Sequence, residues 1–108
     1  MDKEAALKVW EHEYGHAEYA RDVAGRKIKR DDYMVENQVG WVISYMFPLA
    51  LGGRDDVDNM IILHHHTASE KGDDYPEFSV DSMQFRVVHD EDGDFYYVEA
   101  LGERDDSM

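Results

Sequence analysis

Three stretches decide the fold of this 108-residue chain: Gly40-Trp41-Val42-Ile43-Ser44-Tyr45-Met46-Phe47-Pro48-Leu49-Ala50-Leu51-Gly52-Gly53, then Asn59-Met60-Ile61-Ile62-Leu63-His64, then Thr67-Ala68-Ser69-Glu70-Lys71-Gly72-Asp73. The run from Trp41 to Phe47 is apolar and β-favouring, and it stops at Pro48, which cannot donate to a sheet ladder. Pro48 to Asp58 reads as a loop carrying the Gly52-Gly53 pair. Met60 to Leu63 is a second apolar run, too short to assign by periodicity alone. Residues 65–71 read as a short helix ending near Gly72. The centre of the chain is therefore expected to be a mixed ββα unit.

Upstream, residues 3–14 are expected to be helical. Asp2 can cap the start, and Leu7, Trp10 and Tyr14 recur at spacings of three and four, with Gly15 as the stop. Ala24-Gly25-Arg26 reads as a turn before a short extended piece around Ile28. Downstream, Phe78-Ser79-Val80, Gln84 to Val88 and Phe95 to Val98 read as strands. Glu91-Asp92-Gly93-Asp94 makes the hairpin turn between the last two. Helix, ββα centre and β hairpin or meander together give an α+β class. The expected organisation is one domain over residues 1–102, with a helical part at 1–20, the ββα core at 41–73 and a β tail at 78–101. Residues 103–108 are expected to form a polar tail, with fraying from Gly102 to Met108.

Composition narrows the function. Eleven Lys and Arg face 25 Asp and Glu, a net charge of −14. Such a chain is poorly suited to direct DNA binding, which rests on cations neutralising phosphate. It suits a basic, nucleic-acid-binding protein as partner. The charge is uneven: residues 1–30 carry seven bases and six acids, whereas residues 31–108 carry four bases and 19 acids. The chain has no cysteine, hence no disulfide framework and no thiolate metal site. No apolar run approaches the roughly 20 residues that span a bilayer, and the first residues lack the apolar stretch of a signal peptide. The cytoplasm is the expected compartment, and no membrane is expected to be involved.

The quoted stretches resemble the HNH endonucleases, the ββα-metal family, and within it small phage-type members. The resemblance covers roughly residues 20–100, and it includes the lead-in Asp22-Val23-Ala24-Gly25-Arg26-Lys27-Ile28. It implies a ββα scaffold on which an Asp-His pair before the proline, together with a ligand at the start of the helix, holds a metal and activates water. Here the pair reads Ser44-Tyr45 and the helix position reads Ala68. Ser is a poor ligand for Mg²⁺ beside a carboxylate, Tyr is a poor general base at neutral pH, and Ala ligates nothing. Asn59, His64 and the Glu70-Lys71 pair are retained. The resemblance thus implies a scaffold without catalytic residues, no cofactor and no bound metal.

Each of these residues also has a structural role to fill. In His64-His65-His66, adjacent side chains point different ways and three in a row seldom converge on one ion. His64 is expected as a relic of the fold, with His65 and His66 at the surface. Trp10, Trp41, Phe47, Phe78 and Phe85 are expected in the core. Tyr45 is expected to pack or to touch a partner, and Asn59 to tie its loop to the backbone. The basic run at residues 26–30 is expected as a solvated strand or an intramolecular acid–base contact.

The acidic stretches supply the candidate partner-binding residues: Asp55, Asp56 and Asp58 in the loop, Asp73, Asp74 and Glu77 after the helix, and Asp90, Glu91, Asp92 and Asp94 around the hairpin turn. The stretch at 90–94 lacks the full pattern of a calcium loop. Carboxylates spaced along a surface can imitate phosphates. The expected function is a non-enzymatic inhibitor of a nucleic-acid-targeting defence complex, of the anti-CRISPR or anti-restriction kind, acting as a monomer or homodimer on a host CRISPR or restriction nuclease. Two alternatives stay open: a metal-dependent nuclease with a rearranged site, and a phage assembly or immunity module.

Overall fold

The computed structural model describes residues 1–103. It is an α+β structure of two helices and seven strands, with a helix at the N-terminus and a sheet at the C-terminus. Its contacts divide the chain into two units, one of residues 1–44 and 62–68, the other of residues 45–61 and 69–108.

The first unit begins with helix α1, Lys3–Tyr14. The Asp2 carboxylate accepts the Ala5 N–H at 2.9 Å, satisfying one of the helix's open donors. Gly15 ends the helix at φ 63°, a left-handed value that disfavours a side chain. Ala6 and Trp10 are buried, and Leu7 and Tyr14 pack beside them. Strands β1, Tyr19–Arg21, and β2, Lys27–Lys29, pair antiparallel with Ala20 opposite Ile28. β1 has no counterpart in the sequence reading. It is three residues long, with Tyr19 and Arg21 exposed and Ala20 half-buried, too short for a readable alternation, and it exists through its pairing with β2.

Ile28, Trp41 and Ile62 complete this unit's core. The two indoles lie 5.1 Å apart, and each polar N–H is satisfied: Trp10 donates to the Ala17 carbonyl at 3.0 Å and Trp41 to the Lys29 carbonyl at 2.8 Å. Trp41 opens strand β3, Trp41–Tyr45, which pairs with β4, Met60–His64, in a two-stranded sheet. Helix α2, His65–Lys71, follows at once. Strand, loop, strand and helix therefore appear in the expected order, with the ambiguous run at Met60 resolved as a strand.

In the second unit, β5 (Glu77–Val80), β6 (Met83–Asp90) and β7 (Phe95–Glu103) form an antiparallel meander with β6 central. Phe78 lies opposite Phe85 and Val87 opposite Val98. Alternation puts Phe78, Val80, Phe85 and Val87 in the core. The last two strands are longer than their apolar runs, because the ladder continues into polar residues. β7 reaches Glu103, so Gly102 and Glu103 belong to the sheet and not to a frayed tail. Residues 104–108 lie outside the described residues.

The loop from Pro48 to Asp58 contains two 3-10 turns, Leu49–Leu51 and Val57–Asn59. The glycine pair between them has two separate causes. Gly52 is left-handed at φ 104°, and a Cβ on Gly53 would collide with the Phe47 carbonyl. Phe47 itself is half-buried, a correction to its expected place in the core.

Candidate functional site

Asn59 is fully buried and organises the loop. Its amide donates to the carbonyls of Phe47, at 2.8 Å, and Arg54, at 2.7 Å, while its Oδ1 accepts the Phe47 N–H at 2.8 Å. All three of these side-chain bonds go to backbone, tying the two ends of the loop together. Ser44 and Tyr45 are the last residues of β3, and Ala68 lies within α2. The Tyr45 hydroxyl donates to the Asp55 carboxylate at 2.6 Å. That bond fixes the residue to the acidic loop.

His64 is buried with both ring nitrogens committed. Its Nδ1 accepts the His66 backbone N–H at 3.1 Å, so the proton sits on Nε2, which donates to the Gln38 carbonyl at 2.9 Å. The imidazole is held in its neutral form: desolvation lowers its pKa from 6.5, and His65 and His66 lower it further against the opposing bond to Gln38. Neither nitrogen is available to a metal or to a water. Its backbone N–H donates to the buried Asp22 carboxylate at 3.0 Å, and the same carboxylate accepts from Ala24 and Arg26, closing the turn before β2.

The three histidines do gather, which corrects the expectation that they diverge. Their ring centroids lie 4.2–5.2 Å apart, with His64 stacked on both neighbours. Gathering does not make a ligand set. Among the described residues no group of three or more His, Asp or Glu is placed to hold a metal ion. Instead the rings line a cavity of about 610 Å³, which Arg21, Arg26 and Lys27 line as well. At the end of the basic run, Arg30 makes an intramolecular acid–base contact, pairing with Glu11 at 3.2 Å and with Asp31 at 3.7 Å.

All ten candidate carboxylates fall in the second unit. Three aromatic rings draw their segments together. Phe47, next to the acidic loop, stacks on Tyr75 at 4.2 Å and lies 6.3 Å from Tyr96. Tyr75 sits between Asp74 and Glu77, and Tyr96 follows the hairpin turn. Arg54 links the loop to that turn, reaching Asp94 at 2.9 Å and Asp56 at 3.5 Å. His89 meets the same Asp94 carboxylate at 2.9 Å. Arg54 and then His89 hold the Asp94 carboxyl below its ordinary range.

The other acids divide by partner. Asp55 accepts from Tyr45, Asp56 also caps the 3-10 turn by accepting from Asp58, Glu77 meets Arg86 at 3.7 Å, and Asp90 accepts the Gly93 N–H at 3.0 Å. Asp58, Asp73, Asp74, Glu91 and Asp92 are exposed. None of these five makes an ion pair with another described residue.

Residue spacing alone could not reveal the aromatic cluster, because Phe47, Tyr75 and Tyr96 lie on three different segments. Nor does spacing mark Lys71 as a buried cation. It is wholly enclosed, its Nζ 5.3 Å from the Phe78 ring centroid and 3.3 Å from the Asp74 carbonyl. Burial lowers its pKa from 10.5, against the opposing pull of Asp73 and Asp74. Among the described residues no helix is long and apolar enough to cross a membrane. The chain matches no family model, no curated protein and no solved structure.

Proposed function

We propose that this protein is a non-catalytic, acidic inhibitor that occupies the basic nucleic-acid channel of a host defence nuclease complex, its carboxylates standing where phosphates would. One observation carries the reading: the acidic loop, the segment after α2 and the hairpin turn are drawn together by Phe47, Tyr75, Tyr96 and Arg54 within one unit. That unit holds sixteen acids and four bases, whereas the other holds nine acids and seven bases. Five of these carboxylates are exposed and make no ion pair with another described residue, which leaves them open to an external cation. A surface of this kind attracts Arg and Lys over the Debye length and loses that attraction in salt.

The reading is tested by pull-down against CRISPR and restriction nuclease complexes with DNA as competitor. Mutual exclusion with DNA is expected, together with an association rate that falls as salt rises. Charge reversal at Asp73, Asp74, Glu91 and Asp92 should abolish capture. Capture insensitive both to salt and to that reversal would defeat phosphate imitation. Metal-dependent plasmid nicking that is lost in His64→Ala would favour the nuclease alternative instead.

A further inference from the structure

Three cationic side chains of this acidic chain line the cavity of about 610 Å³ in the first unit. They are Arg21, Arg26 and Lys27, and among the described residues Glu36 is the one carboxylate on its wall. Arg21 and Lys27 are exposed and make no ion pair with another described residue. Arg21 spends one Nη on the Gly25 carbonyl at 2.8 Å. Arg26 is oriented by donation of Nη1 to Thr67 at 3.0 Å. The Lys27 ammonium rests 4.4 Å from the Tyr19 ring centroid, which holds the side chain in place.

We propose that this cavity binds a phosphate monoester through Arg21 and Lys27, with Arg26 and the clustered imidazole rings of His64–His66 also lining it. Guanidinium groups offer paired donors in the geometry a phosphate accepts, and the ammonium adds a compact charge. A phosphate monoester carries roughly −1.5 to −2 at neutral pH, opposite in sign to the Arg21 and Lys27 side chains. The volume lies within the range of small-molecule sites, about 300–1,000 Å³. The proposal is independent of the inhibitor reading, since none of the ten acidic candidates takes part.

The experiment follows amide shifts by NMR while the full chain is titrated with inorganic phosphate, adenosine 5′-monophosphate and adenosine in separate arms. Saturable shifts at residues 21–27 and 64–66 are expected with the two phosphates and not with adenosine. Equal affinity for both assigns the site to the phosphate group alone. Affinity at least tenfold higher for the nucleotide assigns the imidazole rings to its base. The double variant Arg21→Ala/Lys27→Ala removes two exposed cations and should weaken binding at least tenfold. Lys27→Glu serves as a second variant and should do the same. Absence of saturable shifts with either phosphate, adenosine binding as tightly as the nucleotide, or undiminished binding in both variants would overturn the proposal.

Discussion

Arg54 and Asp94 are 40 residues apart in sequence and 2.9 Å apart in space. The contact joins the loop that closes on Asn59 to the turn between β6 and β7. It also carries the larger part of the downward shift of the Asp94 carboxyl, with His89 carrying the next part. The pair is solvent-exposed, so its effect on global stability is small. Its effect on titration is not. In Arg54→Gln, the Asp94 carboxyl should titrate at higher pH, moving toward the ordinary range, as read from its side-chain carbon shift by NMR. A depressed Asp94 carboxyl stabilises the fold above the unfolded value near pH 3.9, and this contribution is lost as pH falls through the folded value. An unchanged Asp94 titration in the variant would show that Arg54 is not its partner in solution.

The Asn59 network makes a prediction about stability. Asn59→Ala removes three hydrogen bonds and strands part-buried backbone groups of Phe47 and Arg54. Each such group costs about 1–3 kcal/mol when left unpaired, so a loss of about 3–5 kcal/mol is expected in denaturant unfolding. Asn59→Asp should not rescue it. A carboxylate could still accept from Phe47 N–H, but its other oxygen would face two carbonyls. Wild-type stability in either variant would remove Asn59 as the organiser of the loop.

What could be read from sequence was local. Asp2 and Gly15 bracket α1, Pro48 stops β3, and the acidic Gly93 turn closes the β6–β7 hairpin, because each acts within a few residues. The order of the ββα centre follows from the same signals. The Arg54–Asp94 link, the gathering of Phe47 with Tyr75 and Tyr96, and strand β1 depend on partners far along the chain. No spacing encodes them. The histidine run misled for a different reason: His64 ends a strand while His65 and His66 begin a helix. The change of backbone at that junction turns three consecutive rings toward one another, where a continuous strand would have splayed them.

Lys71 is a cation enclosed at a cost. Its Nζ has one hydrogen bond, a long one to the Asp74 carbonyl, and the face of Phe78. Lys71→Met keeps the length and removes the charge, so it should raise unfolding stability by about 1–2 kcal/mol. Lys71→Ala leaves a cavity and should lower it. Because burial depresses the folded pKa below 10.5, the unfolded chain binds the proton more readily. Wild-type stability therefore rises with pH up to about the unfolded value, and the methionine variant should lack that slope. A destabilised methionine variant would mean that the ammonium contributes more through Phe78 and Asp74 than its burial costs.

His64 sets the acid side of the stability profile. The folded imidazole resists protonation because it is desolvated, because His65 and His66 stand beside it, and because Nδ1 is already accepting the His66 N–H. The unfolded chain has no such resistance and takes up the proton near pH 6.5. As pH falls below that value, the unfolded state gains a proton that the folded state refuses, and stability declines until the lower folded pKa is reached. Above about pH 6.5 the contribution is flat. His64→Asn retains an oxygen near the Nδ1 position, cannot be protonated, and gives up only the bond to the Gln38 carbonyl. It should be less stable than wild type at pH 7.5 and yet lose less of its thermal midpoint between pH 7.5 and 5.5. An equal loss in the two proteins would place the acid sensitivity on other histidines. A direct check is the imidazole nitrogen spectrum at pH 7, which should show a single neutral ring protonated at Nε2 for His64 and persist below the ordinary titration range.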